Sequence, residues 1–396
     1  NQVFHPNNWQ VHEMQQLLDT SLQFPELRES AAWTELALKW LGEHMRRETL
    51  PDGAHHERCT AYNAGVMKMY RETLEVIRRA GLEPPDGFAE GLARMVHHHA
   101  VLYAPGLAQV GIGDSGTTAP GSGLDVMVDG ALSFHIPECK WFAARDPERV
   151  RRAAERLYGD GADEALAQYE QLEARKPEAT SVIFPDAGWV VMRSSWEDDA
   201  LYMITDYGSN ASWHTHPDFL GFSVFAHGRP LITDAGTGGT QGYQSEVSKK
   251  WCKQTIGHNT ILVDGMSQER FHEGTCHRWV TASKFDYLHA SHPAYRFLGV
   301  EHDRRILFVK PEYWIVTDAL GVAEFVTTSG YHEYRWLAHF QPSMLEIGKD
   351  SSVWARTAFD AHIGVLPINP ERITLVQEEG YISTPEGGVY DAPMLS

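Results

Sequence analysis

The chain has 396 residues, 42% hydrophobic and 22% charged, a balance suited to globular folding and long enough for two domains. Its 34 basic and 53 acidic residues give a net charge of −19, the reverse of the basic surplus typical of a nucleic-acid binder. No apolar run approaches the roughly 20 residues that span a bilayer as a helix, so membrane insertion is not expected.

Asn1 reads as an internal residue. No basic and apolar leader opens the chain, and a leader already removed is the expectation. The stretch Asn7-Asn8-Trp9 precedes a helical pattern through Glu13, Leu17, Leu18 and Leu22, where an Asn commonly caps the helix. Trp33, Leu36, Ala37, Trp40 and Leu41 recur at spacings of three and four, which predicts an amphipathic helix. Tyr62, Val66, Met69, Tyr70, Leu74 and Ile77 repeat the pattern, and on this reading Tyr62 is a core aromatic. A further helix is predicted through Leu92, Met95, Val96 and Val101, and two more between about Pro147 and Leu172. Turn-rich breaks at Pro51-Asp52-Gly53, at 84–87 and at 111–123 separate them, which suggests stacked helical hairpins.

The character changes near Ser181. Short β-rich runs follow at Trp189–Met192, Leu201–Thr205, Phe222–Phe225, Thr260–Val263, Trp279–Ser283, Arg305–Val309 and Tyr313–Thr317. Helices followed by strands, without βαβ alternation, predict an α+β chain of two segregated domains, helical over 1–180 and antiparallel β over 181–396. The four cysteines form no C-x-x-C pair and read as buried or free thiols.

The densest polar cluster is Trp213-His214-Thr215-His216-Pro217-Asp218. In a strand, His214 and His216 would share a face, which suits two metal ligands or one ligand beside one catalytic imidazole. Asp234 follows an apolar run, and His258-Asn259 precedes another. Two His and one Asp suit a divalent ion such as zinc, although the same residues also suit a hydrogen-bonded loop at a sheet edge.

In their order these segments resemble the heparinase II/III-like polysaccharide lyases. The resemblance rests on Asn7-Asn8-Trp9, the run 22–27, Pro51-Asp52-Gly53 with Glu57 and Tyr62, and Gly113-Asp114-Ser115. It continues through 184–188, His214-x-His216-x-Asp218, 231–236 and His258-Asn259-Thr260 running on to Gly265. It implies an (α/α) toroid followed by an antiparallel β-sandwich, and the short helical half makes an incomplete toroid the expectation. It further implies that Asn8 neutralises a substrate carboxylate, that Tyr62 and His214 are catalytic, and that His216, Asp234 and His258 hold a structural zinc or similar divalent ion. Tyr243 matches a second active-site tyrosine of some members. Trp9 stands where many members carry a histidine, which places the chain nearer the heparinase III-like branch.

The implied reaction is β-elimination on a uronate-containing polysaccharide, with a glycosaminoglycan such as heparan sulfate favoured and alginate or another polyuronate as the alternative. Removal of the C5 proton creates an enolate-like dianion, so fixed donors on the carboxylate are required, and the Asn8 amide suits that role. A base and an acid are also needed, and Tyr62 and His214 are the two candidates, with their roles left open by the unknown sugar configuration. Arg58 could lower the Tyr62 pKa, and Lys249, Lys250 and Lys253 could form a local basic patch. The resemblance favours a periplasmic or secreted protein, without excluding the cytoplasm, and leaves a homodimer open. Competing readings are an oxygenase built on His214, His216 and Asp218, a glycoside hydrolase using Asp52, Glu57 or Asp114, and a non-catalytic glycan-binding protein.

Overall fold

The computed structural model describes residues 8–238, 242, 244–323, 330–383 and 388–396. Two compact units emerge. Unit 1 comprises the described residues up to Glu57, Tyr62–Val101 and Gly123–Lys176; unit 2 comprises Arg58–Ala61, Leu102–Ser122 and the chain from Pro177 onward. Two stretches that precede residue 181 therefore group with the strands rather than with the helices.

Unit 1 is helical. Its helices are α1 (Asn8–Gln23), α2 (Ser30–Glu48), α3 (Thr60–Arg79, from Tyr62 in this unit), α4 (Phe88–Leu102), α5 (Leu124–Phe134), α6 (Pro137–Ala143), α7 (Pro147–Tyr158) and α8 (Ala162–Gln171). The three- and four-residue apolar spacing produces the buried stripes: Leu41 and Met45 on α2, Val66, Tyr70, Leu74 and Ile77 on α3, and Leu92, Met95 and Val96 on α4. Tyr70 meets Phe88 edge to face, with ring centroids 5.4 Å apart. The α7 start is encoded locally, since Asp146 accepts from the Arg149 backbone N–H at 3.0 Å and Pro147 fills the first turn. Helices α5 and α6 carry no long amphipathic repeat and were not anticipated from the pattern.

Unit 2 is built on antiparallel pairs. Strands β1 (Val182–Phe184), β2 (Trp189–Arg193), β3 (Tyr202–Asp206), β4 (Phe222–Ala226) and β5 (Arg229–Ile232) form one sheet in that order. All of β2 is buried, so this sheet is covered on both faces. After the short β6 (Ile261–Val263), strands β7 (Thr275–Thr281), β8 (Phe285–His292), β9 (Val300–Val309) and β10 (Tyr313–Val322) form a second sheet in the order β10-β9-β8-β7. Residues along β9 alternate buried and half-buried, the period-two signature of one packed face. One core cluster takes Val190, Met203 and Val224 from the first sheet and Leu288, Ile306 and Phe308 from the second, with Phe340 and Val353.

Buried Arg304 links this core to the loops above it. Its guanidinium pairs with Asp318 at 2.7 and 3.0 Å and donates to the carbonyls of Leu220 (2.6 Å) and Asn259 (3.0 Å). Asn259 in turn donates to Phe222 O and Thr233 O, at 2.8 and 3.0 Å, and accepts from the His339 backbone N–H at 2.7 Å. These bonds fix the backbone beside β4, β5 and β6. Among the described residues, no helix is long and apolar enough to cross a membrane.

Candidate functional site

In unit 2 the chemistry-bearing residues gather around Asp114. Its backbone N–H donates to His214 O at 2.8 Å. The preceding Gly113 has φ +67, and a Cβ there would fall 2.3 Å from the same carbonyl, so glycine is required for this approach. The Asp114 side chain, only 1% exposed, then collects three donors. His214 Nδ1 reaches Oδ2, His216 Nε2 reaches Oδ1 and Lys253 Nζ reaches Oδ2, each at 2.9 Å. Burial alone would raise this carboxyl, but the hydrogen bonds from both imidazoles and the charges of His216 and Lys253 hold it well below the usual carboxylate range.

The segment carrying His214 and His216 is a turn between β3 and β4, the loop alternative rather than a strand face. Ser212 shapes it, accepting from the His214 backbone N–H at 3.2 Å on its hydroxyl and from Thr215 Oγ1 at 2.9 Å on its carbonyl. The two imidazoles meet because both bond to one carboxylate. An ionised Asp114 can only accept, so His214 carries its proton on Nδ1 when neutral, and Nε2 becomes the basic nitrogen. His214 keeps 16% of its side chain exposed, whereas His216 keeps none.

The remaining members of the sequence-predicted metal set join His216. Asp234 follows β5 and places Oδ2 2.6 Å from His258 Nδ1, while Oδ1 accepts from Gly236 N at 2.9 Å. The rings of His216 and His258 lie 5.3 Å apart. One donor atom from each of His216, Asp234 and His258 lies within 4.8 Å of the others. His216 Nδ1 and His258 Nε2 are buried without a hydrogen-bond partner. Two orphaned ring nitrogens beside a carboxylate fit a divalent metal ion, which these three residues could hold. Burial disfavours a charged His258, yet the adjacent Asp234 and the nearby Asp218 push its imidazole up to about 9. Burial lowers His216, and the charge of His258 lowers it further.

Beside this group lies a cavity of about 20 Å³, lined by Asp206, Asp218 and Asp234 among others, with room for one water-sized body. Burial pushes Asp206 up to about 6 and raises Asp218 as well. Asp218 is not part of a three-donor group with His214 and His216 among the described residues.

The other sequence candidates are distributed along the chain as follows. Asn8 is the first residue of α1 rather than a residue ahead of it, and it is half-buried beside Trp9, which is 74% exposed. Tyr62 is half-buried in the first turn of α3. Both lie in unit 1. Tyr243 lies outside the described residues. Arg58 donates to Asp186 O at 3.1 and 2.9 Å, within unit 2. The expected lysine patch divides: Lys253 binds Asp114, while Lys249 and Lys250 pair with Glu246 at 3.4 and 3.1 Å. The hub role of Asp114 and the placement of Asp206 were missed. The glycine before Asp114 was the available signal, since Gly-Asp-Ser inside the turn-rich stretch 111–123 suits a tight backbone approach.

A family model described as "Heparinase II/III-like, C-terminal" matches residues 176–392, and one described as "Heparinase II/III N-terminus" matches residues 3–134. The chain belongs to the heparinase II/III-like family. Among family relatives, a heparin-sulfate lyase of Pedobacter heparinus is 22% identical over 380 residues, covering 95% of this chain and 53% of the relative. A heparin-sulfate lyase of Bacteroides stercoris is 23% identical over 384 residues, covering 95% and 52% respectively. The chain thus spans about half the length of these curated relatives. Among solved structures, the heparan sulfate lyase HepC from Pedobacter heparinus superposes with a TM-score of 0.79 at 20% identity, covering 100% of this chain and 57% of that one. A heparinase III structure gives a TM-score of 0.78 at 16% identity, covering 97% and 57%. These likenesses establish a heparinase III-like fold, helical in the N-terminal part and antiparallel in the C-terminal part.

Proposed function

We propose that this member of the heparinase II/III-like family is a polysaccharide lyase that cleaves a uronate-containing glycosaminoglycan, heparan sulfate in the first instance, by β-elimination. The observation that carries the reading is His214, partly exposed, with Nδ1 held by the buried Asp114 carboxylate at 2.9 Å. That bond fixes the tautomer and leaves Nε2 basic, as a proton acceptor requires. The relatives named as heparin-sulfate lyases support the substrate class.

In this proposal His214 Nε2 accepts the C5 proton of the uronate. Tyr62 protonates the departing O4, and the Asn8 amide donates to the carboxylate as charge builds on it. Tyr243 is a further candidate for the same sugar. The proposed architecture is an incomplete (α/α) toroid with an antiparallel β-sandwich, and the proposed location is the periplasm or the cell exterior. His216, Asp234 and His258 would hold the metal, for which the N and O donor set favours zinc. Bound there, zinc would neutralise buried carboxylate charge and order the 213–218 turn. The acceptor nitrogen itself belongs to His214.

The test is a panel of heparan sulfate, heparin, chondroitin sulfate and alginate, followed by the ultraviolet absorbance of the unsaturated uronate product. Rising absorbance with heparan sulfate is expected. Product from alginate alone would move the substrate to the polyuronate alternative. Reducing ends without absorbance would make the enzyme a hydrolase.

A further inference from the structure

We propose a second metal site in unit 1, formed by Glu48, His55 and His56, which takes a zinc-class divalent ion. The inference rests on unit 1 alone and is independent of the lyase reading. Glu48 ends α2, and the chain then folds back on itself. His56 N donates to Glu48 O at 2.8 Å, Leu50 N to Ala54 O at 2.7 Å and Gly53 N to Leu50 O at 2.9 Å. Gly53 has φ +88, and a Cβ there would lie 2.4 Å from Arg94 O, so the turn is fixed by close packing as well as by its hydrogen bonds. This clip places one donor atom from each of Glu48, His55 and His56 within 4.8 Å of the others.

The donors are oriented from behind, as ligating groups are in metal sites. His44 Nδ1 lies 2.8 Å from Glu48 Oε1, and His44 Nε2 lies 2.9 Å from Gln10 Oε1. His55 stands between two carboxylates, with Nε2 3.4 Å from Glu48 Oε2 and Nδ1 3.5 Å from Glu57 Oε2. Both separations exceed the roughly 2.7–2.9 Å of a charge-assisted hydrogen bond. The His55 side chain is entirely buried. Elsewhere in the same unit, both amide atoms of Asn63 and the hydroxyl of Tyr70 are buried without a hydrogen-bond partner. A buried polar atom in this condition calls for an explanation, of which an ion or an ordered water is one.

Two imidazoles and one carboxylate select zinc, cobalt or nickel over calcium or magnesium, which prefer all-oxygen sites. Half-buried His56 is the member nearest solvent. The bound ion would tie the end of α2 to the turn that leads toward α3. A third three-donor group among the described residues, His277, His289 and Asp303, shows a different condition. There His289 Nε2 meets Asp303 at 2.6 Å and His277 Nε2 meets Ser291 Oγ at 2.7 Å, so the group is satisfied by ordinary hydrogen bonds.

The experiment is a cobalt(II) titration of the metal-free chain, read by d–d absorbance and by bound cobalt per chain. A His216→Ala/His258→Ala/His277→Ala variant removes the other two groups. It is expected to retain one bound cobalt, and adding His56→Ala is expected to abolish it. Retention of that cobalt after His56→Ala overturns the proposal, as does a folded triple variant that binds none. Because the triple variant could fail to fold, zinc-edge anomalous diffraction on the wild-type chain crystallised with excess zinc gives a second reading. A peak among Glu48, His55 and His56 is expected, and its absence overturns the site.

Discussion

Each unit buries one carboxylate between two imidazoles, but the two arrangements open differently. In unit 1, Glu48 lies between His44 and His55, and both imidazoles are wholly buried. In unit 2, Asp114 lies between His214 and His216, with Lys253 added, and His214 remains 16% exposed. The carboxylate hub is the same electrostatic solution in each case: burial is offset by hydrogen bonds from groups able to carry positive charge. Exposure decides what the hub can do. An imidazole that solvent can reach can exchange a proton with a solute, whereas one sealed from solvent can only hold structure or an ion.

The sharpest way to break this contrast is to remove the exposed imidazole. His214→Ala and Tyr62→Phe are each expected to lower kcat by about 10²- to 10⁴-fold with an unchanged circular dichroism spectrum. Full activity in either would refute the roles proposed for these residues. Asp114→Asn is expected to lower kcat about 10- to 100-fold, as loss of an orienting carboxylate does. Because it breaks a buried charged cluster, it should also cost about 3–5 kcal/mol in denaturant unfolding. A variant with full stability and reduced turnover would separate the orienting role from the structural one.

The sealed hub should respond in stability. Glu48→Gln is expected to cost about 3 kcal/mol or more, and a stability equal to the wild type would show that the Glu48 hub does not hold the unit together. Chelation should lower the melting temperature by about 5 °C or more if metal is bound, because an ion that binds only the folded state stabilises it. An unchanged melting curve would count against both metal sites. The smallest effect is a pH dependence. Hydrogen bonds from His44 and His55 bring the Glu48 carboxyl from 4.5 down to about 2 against the effect of burial. A depressed carboxyl contributes stability that is complete above its unfolded value and fades as pH falls toward its folded one. The gap between wild type and Glu48→Gln should therefore be constant above about pH 5 and shrink between pH 4.5 and 2. A gap that widened in acid would contradict the depressed carboxyl.

Much of this was legible in the chain itself. The buried stripe of Val66, Tyr70, Leu74 and Ile77 and the alternation along β9 follow from periodicity, because each element has one face to bury. The set His216, Asp234 and His258 was chosen by residue type and resemblance, and the fold brings its donor atoms within 4.8 Å. Residue spacing left 213–218 open between a strand face and a hydrogen-bonded loop. A turn shaped by Ser212 supplies the local bonds there, and both imidazoles meet on Asp114 instead of sharing a strand face.

Local pattern thus determined the long helices and many of the strands, though not α5 and α6, since propensity, apolar spacing and turn residues act over a few neighbours. Tertiary structure alone decided that Asp114 would serve two histidines about a hundred residues away and Lys253 further on. It also decided that Glu48 would be closed off while His214 stayed accessible. Desolvation and charge pairing depend on which surfaces meet in space, and no spacing along the chain records that.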